Sequence, residues 1–270
     1  MKNENIFEVK GVEYTYPGKV AALSGISFDV KKGDRIALIG ANGSGKSTLL
    51  AMLDGLIYPD KGSVAAFGRQ LTEAAFNDGD FTKIFRSSVG FVFQNPEIQL
   101  FCPTVREDIA FGPLCLGMNS EEAGKLAEAT AEKLGIKDLL ERQPHRLSIG
   151  EKKKAAIAAV LALDPEVLLL DEPTAGLDPL TTRHIVEILS MASGEGKTII
   201  TATHDLHIVE EIADIAYVLG KDKKIAAYGP AGEILGNRRL LDENNLAHVH
   251  IHSHGHEKPH IHPHIHGKNK

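Results

Sequence analysis

The stretch DRIALIGANGSGKSTLL, residues 34–50, restricts the fold more than any other part of the chain. An apolar run over 36–39 stops at Gly40, and after a loop with glycines at 43 and 45, Lys46 opens a run containing helix-forming leucines. Strand, glycine loop and helix in that order let consecutive backbone N–H groups and the positive end of the helix converge on one anion. Gly40, Gly45, Lys46 and Ser47 fit the spacing G-x-x-x-x-G-K-[ST], in which the lysine reaches the β- and γ-phosphates and the hydroxyl reaches Mg²⁺. A flexible turn with a solvated lysine would explain the glycines, but neither the strand before them nor the helix after.

With 270 residues and 43% hydrophobic content the chain can bury a core as one large domain or two small ones. The two cysteines, Cys102 and Cys115, cannot frame the fold with bridges, and no signal-like segment opens the chain, so a reducing cytosol is expected. No apolar run approaches the roughly twenty residues of a membrane span. The net charge of −6 argues against a nucleic-acid partner.

Alternation and β-forming residues predict strands over 7–14, 26–30, 62–67 and 89–93. Tyr16, between the first two, would either stack on a nucleotide base or pin a strand to the core. Residues 97–117 look like a partly exposed apolar connector. A helix should begin near Ser120, which would cap it, with Glu121 and Glu122 in the favourable first turn. A helical insertion is expected over 103–143. After Leu147, Ser148, Ile149, Gly150 and Glu151 come three lysines and an apolar helix over 155–163; lysines at a helix start oppose its dipole, so either an anion docks there or they are solvated.

The run VLLL over 167–170 reads as a buried strand ending in Asp171 and Glu172. Two carboxylates at a strand tip beside a phosphate loop suit a metal ligand, Asp171, and a group facing the attacking water, Glu172. A helix over 180–191 and a strand over 198–203 follow, the strand ending at His204 on the edge where parallel sheets place ligands. Strands over 213–219 and 224–228 and one short helix over 232–244 should close the ordered core.

Composition then changes sharply, with His248, His250, His252, His254, His256, His260, His262, His264 and His266 accounting for nine of the 13 histidines. Imidazole is a common ligand for zinc, nickel, copper and cobalt, and alternation with Val249, Ile251 and Ile261 favours a metal-binding tail over an affinity tag.

Together, residues 40–48, Gln94, 147–151, 168–172, 176–178 and His204 resemble the ATP-binding cassette ATPases in order and approximate spacing, over residues 7 to about 235. The resemblance implies an α/β P-loop core with a mostly parallel sheet, an antiparallel β subdomain and a helical insertion: a nucleotide-binding domain over 1–240, its helical part about 96–158, and a flexible histidine-rich tail over 241–270. It assigns adenine stacking to Tyr16, and phosphate and Mg²⁺ contacts to Asn42, Gly43, Ser44, Gly45, Lys46, Ser47 and Thr48. Gln94 and Asp171 join Ser47 around Mg²⁺, Glu172 is the general base, and His204 steadies the γ-phosphate and water. Leu147, Ser148, Gly150 and Glu151 match the signature that closes over ATP held by a second subunit, and Asp178 communicates across that dimer. Ile149 and Glu151 depart from the usual glycine and glutamine.

The segments FQNPEIQLFCPTVREDIAFGP and LSIGEKKK narrow the resemblance to energy-coupling-factor importers, and the histidine tail to the cobalt and nickel members. The expectation is an ATPase that pairs with a second copy or a paralogue and with integral membrane subunits at the cytoplasmic face of the membrane. A vitamin importer using the same machinery is the alternative. A nickel-handling GTPase would need a guanine-reading N-K-x-D motif, which does not follow the phosphate loop; cassettes that act on nucleic acid or ribosomes usually carry paired cassettes or long coiled inserts.

Overall fold

Two main sheets, one of four strands and one of six, share the molecule, and the computed structural model describes residues 5–246, 251–252 and 260–261. The smaller sheet is antiparallel. Its strands β1 (Asn5–Tyr16), β2 (Val20–Lys31), β4 (Lys61–Ala66) and β5 (Arg69–Gln70) lie in the order β2-β1-β4-β5. Both long strands extend beyond the alternating stretches that predicted them, because they pair with each other from Asn5 opposite Lys31 to Tyr16 opposite Val20, with Phe7, Val12, Leu23, Ile26 and Val30 buried in the core.

The larger sheet contains β3 (Arg35–Ile39), β6 (Val89–Val92), β7 (Val167–Asp171), β8 (Thr198–Thr203), β9 (Ile215–Leu219) and β10 (Ile225–Pro230), in the order β10-β9-β3-β8-β7-β6. Every neighbouring pair is parallel except β9 with β10. A parallel sheet must be covered on both faces, and β7 shows how its sequence achieves that. Leu168 and Leu170 enter one apolar cluster with Ile157, Ile185 and Leu189; Val167 and Leu169 enter the other with Leu38, Leu49 and Leu53.

Helices α1 (Lys46–Leu53), α2 (Glu73–Phe76), α3 (Gly79–Ser88), α4 (Val105–Cys115), α5 (Ser120–Lys133), α6 (Ile149–Leu161), α7 (Pro179–Gly194), α8 (Val209–Ile212), α9 (Ala231–Gly236) and α10 (Arg238–Glu243) complete the fold. Several local expectations change. The supposed connector over 97–117 contains α4, started by a reciprocal cap between Thr104 and Glu107 that outweighs the glycine and proline further on. Asn119, not Ser120, caps α5 by accepting from the Glu122 N–H. Ser148 caps α6, so this helix starts six residues before Ala155 and the lysines fall beyond its first three positions. The closing helix is two, broken at Asn237, whose side chain caps α10 by accepting from the Leu240 N–H at 3.1 Å.

No helix among the described residues is long and apolar enough to cross a membrane. The tail histidines lie outside the described residues apart from the backbone of His252 and His260, which belong to a short antiparallel pairing of Ile251–His252 with His260–Ile261.

Candidate nucleotide-binding site

Strands β3, β8 and β7 finish at the same edge of the parallel sheet, since Ile39 pairs with Thr203 and Asp171 with Ala202. The glycine loop, the two carboxylates and His204 leave from that edge. Gly40 has no room for a side chain: a Cβ there would come within 2.4 Å of Ser44 Oγ and 2.7 Å of the Leu219 carbonyl. Gly45 precedes α1 with a φ of 107°, a left-handed conformation that disfavours any other residue.

Lys46 is buried and its Nζ donates to the Gly40 carbonyl at 2.8 Å, which folds the side chain back along the loop. The same Nζ lies 3.5 Å from Glu172 Oε1. On the other oxygen, Glu172 Oε2 meets His204 Nδ1 at 2.9 Å, so lysine, glutamate and histidine form one connected group. Glu172 itself is buried and has a φ of 47°, unusual for a residue with a side chain. Its N–H donates to the Ala202 carbonyl, and its own carbonyl accepts from Lys153 Nζ at 2.5 Å and the Ala175 N–H at 3.2 Å.

Asp171 is buried beside it. Burial pushes its carboxyl above the ordinary range, opposed by a hydrogen bond from Ser47. Its Oδ1 has no hydrogen-bond partner, and neither do the buried hydroxyls of Ser44 in the glycine loop and of Thr174 just after Glu172 and Pro173. Unpaired buried oxygens are costly. A carboxylate and a hydroxyl are hard oxygen donors, the kind that suit Mg²⁺ completed by water and phosphate oxygens. The residues present therefore fit a phosphate-bound Mg²⁺.

Tyr16 reaches the same loop from the end of β1. Its hydroxyl hydrogen-bonds with Thr48 Oγ1 at 3.1 Å and its ring leans edge-on against Tyr14, while 42% of the residue remains exposed. The ring is thus tied through its hydroxyl to α1 and still partly exposed. Asn42, Gly43 and Ser47 are exposed on the loop and first turn, and Lys223 of the β9–β10 turn donates to the Gly43 carbonyl. Gln94 is exposed just past β6.

The second group of expected site residues opens α6. Leu147 is buried, Ser148 exposed; the Glu151 N–H donates to the Ser148 hydroxyl, and the Glu151 carboxylate accepts from the Ser148 N–H at 2.8 Å. That reciprocal cap explains the glutamate, which also pairs with Arg142 and is held below the usual carboxylate range chiefly by the Ser148 N–H. Ile149 is the first residue of α6, 48% exposed, in a conformation that needs no glycine. Gly150 does have a steric reason: a Cβ would lie 2.7 Å from Thr181 Cγ2 on α7. Thr181 in turn donates to Asp178, the residue that caps α7, so the openings of α6 and α7 are packed together. Thr181 also holds the Asp178 carboxyl below its ordinary range.

Sequence reasoning passed over three of these contacts. Lys153 is buried, and burial lowers its pKa against the pull of Glu172 and Asp171. It shares a helical stripe with Ala156, Ile157 and Val160, the signal that separates it from its two neighbours. Gln99 accepts from the Phe93 N–H and donates to the Ala156 carbonyl, tying the segment after Gln94 to α6. Lys152 adds an ion pair to Glu97 at 2.5 Å. Among the described residues no group of three or more His, Cys, Asp or Glu side chains could hold a metal ion.

Comparison with known proteins shows the family. A family profile described as "ABC transporter" matches residues 23–175. The nickel import ATP-binding protein NikO of Rhodobacter capsulatus is 52% identical over 87% of this chain and 93% of its own length. Among solved structures, cbiO1 from Clostridium perfringens, part of the ABC transporter complex cbiONQ, superposes with a TM-score of 0.76 at 35% identity, covering 90% of this chain and 95% of that one. A dimeric post-hydrolysis state of the ATP-binding cassette MJ0796 bound to ADP and Pi has a TM-score of 0.75 at 28% identity, covering 83% of this chain and 98% of that one.

Proposed function

The chain belongs to the ABC transporter family of ATP-hydrolysing subunits, and on that premise we propose that it energises a membrane importer of transition-metal ions, nickel or cobalt. Two ATPase subunits, two copies or one with a paralogue, close head to tail over two ATP molecules at the cytoplasmic face of the membrane. The observation that carries the reading is the connected group of Lys46, Glu172 and His204 at the sheet edge beside Asp171, with Ser148 exposed at the separate opening of α6.

In this reading the N–H groups of residues 42–48 and Lys46 hold the phosphates, and Tyr16 offers its exposed ring to the adenine. Ser47, Asp171 and Gln94 would hold Mg²⁺, which when bound neutralises charge on the β- and γ-phosphates. Glu172 accepts a proton from the attacking water through a carboxylate oriented by His204 Nδ1 and the main chain. Ser148 and Gly150, backed by Leu147 and Glu151, present the N-terminus of α6 to the γ-phosphate of ATP held by the partner subunit. Asp178, at the adjoining start of α7, reports that closure to the other half.

The route to the membrane subunits lies through the residues after Gln94. Ile98, Phe101, Phe111, Leu114 and Met118 all expose apolar surface there, and Phe101 and Phe111 stack edge to face. The metal cargo is supported by the resemblance to the nickel import protein NikO and by the tail histidines, which would bind transition-metal ions. Reconstitution with co-encoded membrane subunits tests the reading: ATP-dependent uptake of nickel or cobalt is expected, and uptake of a vitamin with no metal uptake would contradict it.

A further inference from the structure

Glu172 sits at a φ of 47°, a backbone conformation that is strained for a side-chain-bearing residue, so the surrounding structure must hold it. One of the holders is unusual. The Glu172 carbonyl needs only a neutral donor, yet in addition to the Ala175 N–H it receives the ammonium of Lys153, a residue 3% exposed. Burying an ammonium for a carbonyl that an amide already serves is expensive.

The place of Lys153 on α6 gives that expense a purpose. Ser148 caps the helix, and at about 1.5 Å per residue Lys153 lies roughly 7.5 Å further along the same rigid rod. Between and just beyond them, Lys152 pairs with Glu97 and the Ala156 carbonyl accepts from Gln99. One helix therefore touches the exposed signature end, the segment after Gln94 and the main chain of the glutamate at the phosphate site.

We infer that Lys153 is a positioning residue that couples the two ATP sites of a closed dimer: docking of the partner's ATP on Ser148 moves α6, and Lys153 sets the backbone of Glu172 for hydrolysis of the chain's own ATP. The inference rests on the head-to-tail reading above. It makes the ammonium of Lys153, through its bond to the Glu172 carbonyl, the link by which one site senses occupancy of the other.

The test compares the full chain with Lys153→Met, which keeps length and packing without charge or donor, and Lys153→Arg, which keeps both. Steady-state hydrolysis over a range of ATP concentrations, equilibrium ATP binding and thermal melting are measured for each. Lys153→Met should bind ATP within twofold of the parent, lose at least tenfold in kcat with KM changed less than twofold, and lose the parent's sigmoidal dependence on ATP. Lys153→Arg should recover a substantial part of kcat and the sigmoidal dependence. Retention of kcat and cooperativity by Lys153→Met overturns the inference alone. So does failure of Lys153→Met to fold, or a loss of ATP binding equal to its loss of kcat, since either marks a purely structural lysine; so does an arginine variant as impaired as the methionine one. A parent chain that hydrolyses ATP without cooperativity overturns the inference, whereas a parent that stays a single subunit with ATP bound, alone and mixed with a co-encoded paralogue, overturns the head-to-tail reading as well.

Discussion

Replacing Gly150 by alanine sets two effects of known size against each other. In an ordinary helix the change would stabilise by about 0.5–1 kcal/mol, because glycine loses more backbone freedom on folding. Here the new methyl would come within 2.7 Å of Thr181 Cγ2, well inside van der Waals contact. Thr181 cannot easily turn away, because its hydroxyl donates to Asp178 at 2.6 Å and its N–H to the same carboxylate at 3.0 Å. The first turns of α6 and α7 must separate by several tenths of an ångström, and overpacking of this kind costs about 1–3 kcal/mol. The clash outweighs the helix gain, and Gly150→Ala should lower the melting temperature by about 2–8 °C. Thr181→Ser removes the offending methyl and keeps the hydroxyl, so Gly150→Ala with Thr181→Ser should regain most of the loss, a coupling of about 1 kcal/mol in a double-mutant cycle. Thermal melting of the four proteins, with ATP turnover measured alongside, checks this. If Gly150→Ala melts at or above the parent temperature, or if Thr181→Ser fails to rescue it, the packing of α6 on α7 is not as described.

Three further outcomes follow from other parts of the structure. Tyr16→Phe loses only the bond to Thr48 and should bind ATP within threefold of the parent, whereas Tyr16→Ala loses a stacking face of about 1–3 kcal/mol and should weaken binding by about fivefold or more in a nucleotide titration. Burial pushes the Asp54 carboxyl up to about 7 despite the Arg86 guanidinium 3.0 Å away. Its folded value lies above the unfolded one, so the folded state binds the extra proton between about pH 4 and 7 and loses stability as pH rises through that window. Asp54→Asn should flatten that slope, at most about 1.4 kcal/mol per pH unit, in urea titrations at several pH values. Truncation after Ala247 should abolish high-stoichiometry nickel binding in calorimetry while leaving ATP turnover of the isolated ATPase within twofold.

The parallel sheet was legible because its strands announce themselves in continuous apolar runs that end in chemistry: Ile39 before Gly40, Leu170 before Asp171, Thr203 before His204. Three strand ends with phosphate- and metal-binding residue types leave few arrangements other than a shared edge. The sequence was less informative where long-range packing decides. Helix α3 opens on glycine and carries one short stripe, Phe81, Ile84 and Phe85, of which Ile84 stays exposed, so periodicity alone is ambiguous there. Helix α4 falls inside the helical insertion expected over 103–143, but Gly112 and Pro113 made its bounds read as a connector, though its capping pair Thr104 and Glu107 was in plain view. The three lysines of α6 look alike until the helix start moves back to Ile149, which turns Lys153 inward. That Gly150 answers to Thr181, or Gln99 to Ala156, depends on contacts between segments far apart in the chain.

Shared ATP sites are the centre of the account, and light scattering of Glu172→Gln reports on them directly. The substitution preserves shape while removing the proton acceptor, so turnover should fall by about 10²–10⁴-fold with ATP still bound. With Mg²⁺ and ATP the mass should double from that of the 29.2 kDa chain, and addition of Ser148→Arg to the same protein should return it to the single-chain value. A Glu172→Gln chain that binds ATP yet keeps the mass of one subunit, both alone and mixed with a co-encoded paralogue, or a dimer indifferent to Ser148→Arg, would contradict the account.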